Sequence, residues 1–176
     1  MADERERFER LYREHFRAVL RFAAARIDAE RAKDVAADTF LVAWRRLDDV
    51  PAEPRAWLLG VARKVIAGQY RTETRREALV VRLRGERGGE SSEPAEAIAD
   101  RDEVLSAFAG LGEADREILR LVAWDGLTAA EAALVLGVTR LAFAVRLHRA
   151  RRRLERALAP PPPAVQKTRR HADAHS

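Results

Sequence analysis

Residues 128–154, TAAEAALVLGVTRLAFAVRLHRARRRL, constrain the fold more than any other stretch of the chain. Thr128 and Glu131 have the T-x-x-E spacing of a capping box, which opens a helix by satisfying two backbone amides that would otherwise lack partners. Gly137 suits the left-handed residue that ends such a helix. Thr139 can cap a second helix directly afterwards. Ala133 is small enough to stand where the two helices cross, and Leu136, Val138 and Phe143 flank the turn and hold its angle. This pattern predicts a helix-turn-helix, although plain helical hairpins share the spacing.

The second helix runs into arginine. Residues 145–158 carry six (146, 149, 151, 152, 153, 156) against one acid, Glu155. Arginine contacts both phosphate and guanine edges, which favours DNA. A helix lying on a membrane would present a broader apolar face with bulky aromatics at its boundary. A merely solvated charged face is the alternative for any single basic segment. A second basic segment occurs at 63–76, where Arg63, Lys64, Arg71, Arg75 and Arg76 face only Glu73, whereas residues 1–50 balance 11 acids with 11 bases. Two basic segments on a balanced chain of net charge +5 fit two separate phosphate contacts.

The rest of the chain reads as helix. Phe8, Leu11, Tyr12, Phe16, Val19, Leu20, Ala23 and Ile27 recur at three- and four-residue steps, with His15 at the edge of the stripe. A second helix, capped by Asp28, buries Val35, Ala36, Thr39, Phe40, Ala43 and Leu47, with Asp34 and Asp38 beside the stripe. Two prolines in 48–54 interrupt it. A third helix packs Trp57, Leu58, Val61, Val65 and Ile66 inward. Its Gly60 and Gly68 each weaken it by roughly 1 kcal/mol relative to alanine, and a helical glycine often marks close approach of another backbone. Residues 82–99, RLRGERGGESSEPAEAIA, lack apolar periodicity and read as a flexible linker. Beyond it, Val104, Leu105, Phe108 and Leu111 form one stripe, and Ile118, Leu119 and Val122 another. Four prolines after Leu158 stop the last helix, and the tail is expected to be disordered.

The expected fold class is therefore all-α: two small helical domains, 5–80 and 101–158, joined by a linker at 81–100 and followed by a tail at 159–176. No apolar run approaches the ~20 residues needed to span a membrane. The charged start, MADERERFERLY, lacks a signal-peptide core, so a cytoplasmic protein is expected. The chain has no cysteine, which rules out disulfides and thiolate metal sites. His171 and His175 stand four apart like metal ligands on a helix, but they fall in the tail, and no metal or cofactor is assigned. Nothing offers a nucleophile–base pair or a phosphate-binding glycine loop, so an enzyme is not expected.

The arrangement resembles the extracytoplasmic-function (ECF) group of bacterial sigma factors over about 8–77 and 101–157. FERLYREHFRAVLRFAAARI resembles the opening of their region 2, AKDVAADTFLVAWRRL the helix that binds the polymerase clamp, and PRAWLLGVARKVIAGQYRTETRR the helix that engages the −10 element. LGEADREILRLVAWDGLTAAEAALVLGVTRLAFAVRLHRARRRL resembles region 4, which reads the −35 element. The resemblance implies that Asp34, Asp38, Phe40 and Trp44 contact core RNA polymerase. It implies that the loop 48–54, with Asp49, Val50 and Pro51, captures a flipped −10 base, and that Arg55, Arg63, Lys64, Gln69, Tyr70 and Arg71 line the separated strand. Tyr70 either stacks on a base or packs on its own helix. Thr139, Arg140, Ala144, Val145, Arg146, His148 and Arg149 would form the −35 face. Core RNA polymerase and promoter DNA are the implied partners, and many relatives are also held by an anti-sigma factor. The chain departs from the common pattern at Ala37, at Gly68 and in LAFAV, where GTVKS is usual. Without that threonine and lysine, reading would fall to Arg140, His148 and Arg149, with apolar contact from Ala144 or Val145 to thymine methyls. Two rival readings stay open. One is a helix-turn-helix regulator acting without replacing the sigma subunit, and the other is a helical adaptor with no DNA role.

Overall fold

The computed structural model describes residues 2–84 and 99–159. The expected linker beyond residue 84 and the tail beyond residue 159, with His171 and His175, lie outside the described residues. Among the described residues there are seven α-helices and no strand. Helices α1 (Ala2–Ala24), α2 (Ala29–Arg45) and α3 (Pro54–Arg84) make the first unit. A 3-10 turn at Leu47–Asp49 leads into α3. The second unit is α4 (Ala99–Ala109), α5 (Glu113–Ala123), α6 (Ala129–Leu136) and α7 (Arg140–Leu158).

In the first unit, Asp28 caps α2 by accepting the Arg31 amide at 2.9 Å. Ala32, Val35, Ala36, Phe40 and Ala43 then turn inward against Val19, Phe22 and Ala23 of α1. The alanines let the two helices approach closely. Thr39 is fully buried, and its hydroxyl donates to the Val35 carbonyl at 2.6 Å, so that hydroxyl is not left unpaired. Pro54 starts α3 at a position where a missing N–H costs nothing. The buried stripe of α3 is Ala56, Leu58, Leu59, Ala62 and Ile66. Trp57 and Val65, expected to pack inward, lie against this core while partly buried, whereas Val61 is partly buried and does not join it.

In the second unit, Leu111, Ile118, Leu119, Leu121, Leu127, Ala132, Ala133, Val135, Phe143 and Ala150 form the core. Of the expected stripe of α4, Leu111 lies in the core and Phe108 packs against it, while Val104 and Leu105 are half exposed.

The two units are packed together, α3 against α6, and their buried residues form one continuous cluster. Gly60 lies at this contact. A Cβ added there would meet the Val135 Cα at 3.7 Å and the Val135 carbonyl oxygen at 3.8 Å, ordinary van der Waals distances, so α3 lies directly against the backbone of α6. Gly68 has open space around its Cα and plays no such part.

Candidate nucleic-acid interface

Every local device expected of the helix-turn-helix is present. The Thr128 hydroxyl accepts the Glu131 amide, and the Glu131 carboxylate accepts the Thr128 amide at 2.8 Å and its hydroxyl at 2.7 Å. These bonds, the backbone one foremost, hold the Glu131 carboxyl below the ordinary glutamate range, with a smaller contribution from the Arg55 charge. Gly137 adopts φ +67°, and its amide donates to the Leu134 carbonyl at 3.1 Å. Thr139 caps α7 by accepting the Ala142 amide at 3.1 Å.

Phe143 and Ala150 anchor α7, and Leu147 and Leu154 pack beside them. The opposite stripe, Leu141, Ala144, Val145, His148 and Arg152, is exposed. Leu141 is 76% exposed and Val145 42%. The expected readers Ala144, Val145 and His148 therefore share one outward face, with Arg140 at its edge. Arg146 and Arg149 lie to one side and line a cleft towards α3. Arg153 is committed elsewhere: its Nη1 donates to both carboxylate oxygens of Asp115 at 2.8 Å, tying α7 to α5. Leu141 was not singled out by the sequence reading, although its place beside the cap and its spacing from Val145 and His148 carry the signal.

On the first unit, Asp34, Asp38 and Leu41 are exposed along one side of α2. Trp44 is 46% exposed and sets its edge on Phe8 with centroids 5.1 Å apart. Tyr12 adds a half-exposed ring stacked on Phe16 at 4.9 Å. Phe40 is only 2% exposed, so it supports this surface from beneath and does not itself offer a contact. Val50 is likewise buried, its carbonyl accepting from Arg7 Nη2 at 3.3 Å, while Pro51 beside it is exposed. Asp49 pairs with Arg46 at 2.8 Å. Lys64, Tyr70 and Arg71 are exposed on α3, and Gln69 is partly so.

Arg55, Arg63 and Tyr70 face the second unit. Between the units lies a cleft of about 810 Å³ lined by Arg63, Ile66 and Tyr70 from α3 and by Leu136, Arg146 and Arg149. At its edge Arg26 is nearly buried, with its side chain 7% exposed. Arg26 Nε donates to the Glu117 carboxylate at 3.0 Å, Nη2 to Asp125 at 2.8 Å and Nη1 to the Phe22 carbonyl at 2.9 Å. Its guanidinium also sits 3.5 Å over the Phe22 ring. Arg55 Nη2 donates to the Asp125 carbonyl, and Arg63 Nε lies 3.9 Å from Glu117. The Tyr70 hydroxyl donates to the Arg26 carbonyl at 3.3 Å. Arg26, Glu117 and Asp125 escaped the sequence reading because the partners are 91 and 99 residues apart, beyond any local pattern. Among the described residues no group of three or more His, Asp or Glu is placed to hold a metal, and no helix is long and apolar enough to cross a membrane.

The two units correspond to two known families. Residues 11–76 match Sigma-70 region 2, and residues 101–154 match Sigma-70, region 4. The chain is 34% identical over 137 residues to the RNA polymerase sigma factor CnrH of Cupriavidus metallidurans, covering 71% of this chain and 72% of that one. It is 34% identical over 155 residues to the ECF RNA polymerase sigma factor SigL of Mycobacterium tuberculosis, covering 84% and 86%. Among solved structures, it resembles the sigma factor RpoE in complex with the anti-sigma factor NepR from Bartonella quintana, with TM-score 0.63, 25% identity and coverage of 86% and 96%. It also resembles CnrH in complex with the cytosolic domain of CnrY, with TM-score 0.58, 29% identity and coverage of 86% of each chain. The fold and its two regions are those of a sigma-70-type factor, a transcription initiation factor that works with RNA polymerase. Within that class, the chain belongs to the ECF RNA polymerase sigma factors.

Proposed function

We propose how this sigma factor divides its work between its surfaces, with 5–80 as the polymerase-binding and −10-reading unit and 101–158 as the −35-reading unit. The outer side of α2, with Asp34, Asp38 and Trp44 and the added Leu41, docks on a basic, partly apolar surface of core polymerase in the cytoplasm. Pro51 and its loop, with Lys64, Gln69, Tyr70 and Arg71, engage the opened −10 strand. Stacking and capture of an unpaired base offset an unstacking cost of a few kcal/mol. Nucleotidyl transfer stays with the core enzyme. An anti-sigma partner is also proposed, because the RpoE relative above is bound to one.

The observation that carries this reading is the outward stripe of α7. It starts at a capped helix N-terminus, the part of a recognition helix that meets base edges. It is formed by Leu141, Ala144, Val145 and His148, all exposed and none buried in the core. Three of the four can make only apolar contacts, and in the major groove the apolar feature of a base pair is the thymine methyl. The −35 element is accordingly thymine-rich where Leu141 and Val145 touch it. Run-off transcription with core polymerase over genomic promoter fragments tests the function, with transcripts dependent on the protein expected. Replacing −35 thymines by uracil, which removes only the methyl, should then weaken the promoter. Unchanged transcription from uracil templates would remove the methyl reading and leave the sigma assignment standing.

A further inference from the structure

We infer that the arginine-lined cleft is a binding site for a nucleoside polyphosphate, with the phosphates held by Arg63, Arg146 and Arg149 and the base laid on Tyr70. The cleft offers about 810 Å³, within the roughly 300–1,000 Å³ typical of small-molecule sites. Seven arginines line it against three carboxylates, Glu113, Asp115 and Glu117, so its walls carry an excess of positive charge.

The carboxylates are already committed within the fold. Glu113 accepts from Arg116 Nη2 at 2.6 Å and from Arg120 Nη1 at 3.0 Å. Asp115 accepts from Arg153 with both oxygens. Glu117 accepts from Arg26 Nε with both of its own, at 3.2 and 3.0 Å. Three arginines are left with donors to give. Arg146 and Arg149 have no hydrogen bond or ion pair among the described residues, and Arg63 comes no nearer to a carboxylate than 3.9 Å from Glu117. Arg63 stands on α3 and the other two on α7, two walls of one cleft. A single phosphate satisfies one guanidinium fork, whereas a chain of two or three phosphates can engage both walls.

The remaining wall suits a base. Tyr70 is 49% exposed, and its hydroxyl is tethered to the Arg26 carbonyl at 3.3 Å. Ile66 and Leu136 line the cleft with it. An aromatic ring beside apolar side chains is a platform on which any base can stack. Because the lining carboxylates are all paired, they offer nothing to a divalent cation, and the ligand binds as the bare polyanion. These side chains are also proposed above for promoter DNA, but the nucleotide site does not depend on that assignment.

The test is calorimetric titration of the full chain with ATP, inorganic triphosphate and adenosine, in EDTA and near-physiological salt. ATP should bind at one site per chain, about tenfold or more tighter than triphosphate, and adenosine should bind far more weakly than either. Arg146→Gln with Arg149→Gln should weaken ATP at least tenfold. Arg151→Gln with Arg156→Gln removes the same charge from exposed positions outside the cleft and should leave ATP affinity unchanged. Tyr70→Leu should abolish the advantage of ATP over triphosphate, and Tyr70→Phe, which keeps the ring, should retain it. Circular dichroism of each variant checks the fold. Failure of ATP to saturate the chain by millimolar concentration overturns the inference. Equal weakening by the outer arginine pair overturns it too, since that would be diffuse attraction of any polyanion, DNA included. Triphosphate binding as tightly as ATP removes the nucleotide. Run-off transcription reports separately on the sigma reading, and its failure would leave the nucleotide site standing.

Discussion

Two arginine-bearing surfaces of this molecule look alike in sequence and differ in what surrounds them. At the seam between the units, Arg26 has a carboxylate on each side and a carbonyl behind it, and Arg153 is clasped by Asp115. Along the outer face of α7, the cations alternate with exposed apolar side chains, and Arg140, His148 and Arg151 have no carboxylate partner among the described residues. A guanidinium already neutralised within the fold serves the fold. One left facing water beside an apolar stripe is available to a ligand. Counting arginines along the chain cannot separate the two kinds.

The sharpest way to break this contrast is at Arg26. Arg26→Ala strands two nearly buried carboxylates, a loss of about 3–5 kcal/mol in the contact between the units. That loss uncouples the units, so the expected result is a single urea transition split into two. Fluorescence of Trp44 and Trp57 would follow the first unit and Trp124 the second. Coincident transitions would count against the seam. Next in size is Asp38→Arg on the outer side of α2, which should abolish retention on core polymerase in a pull-down while leaving the circular dichroism spectrum unchanged.

Arg149→Ala follows. Its place at the cleft, off the outward stripe, predicts phosphate contact and not guanine readout. The loss should be similar on authentic and scrambled −35 duplexes, and the salt slope of binding should fall by about 1. A loss of about 1–3 kcal/mol confined to one base position would return it to the reading face. Thr139→Ala should cost about 1 kcal/mol in thermal unfolding through the lost cap of α7. The smallest effect is expected at Glu131. A carboxylate held below its ordinary range stabilises the fold at pH values above that range and loses this contribution as pH falls through its folded pKa. Glu131→Gln should therefore cost under about 1 kcal/mol at neutral pH, and the difference from the unaltered chain should vanish in acid.

The helix-turn-helix was legible because its determinants lie within a few residues of one another. Thr128 to Glu131, Gly137 and Thr139 to Ala142 each specify their own stretch of backbone. The exposed stripe was partly legible for the same reason, since Ala144, Val145 and His148 follow from helical spacing. The α3 face was read less well. That helix packs on α1 and α2 on one side and on α6 on the other, so its apolar residues surround it and periodicity cannot choose between Val61 and Ala62. Phe40 carried two readings, a member of the buried stripe of α2 by its spacing and a polymerase contact by the resemblance. Its ring lies inward towards Phe8 and Tyr12, as the spacing has it. The seam was not legible at all, because nothing near Arg26 announces partners some ninety residues away. The expectation that a helical glycine marks close approach did hold at Gly60, but the sequence could not name the neighbour.

The outward stripe of α7 shares no residue with the buried cluster. Substitutions at Leu141, Ala144, Val145 and His148 can therefore accumulate with almost no penalty in folding. A duplicated copy of such a gene could drift to a new promoter vocabulary while keeping the same body, and sister factors in one genome could become insulated from one another's targets. The unusual LAFAV of this chain is what one step of that divergence would leave behind.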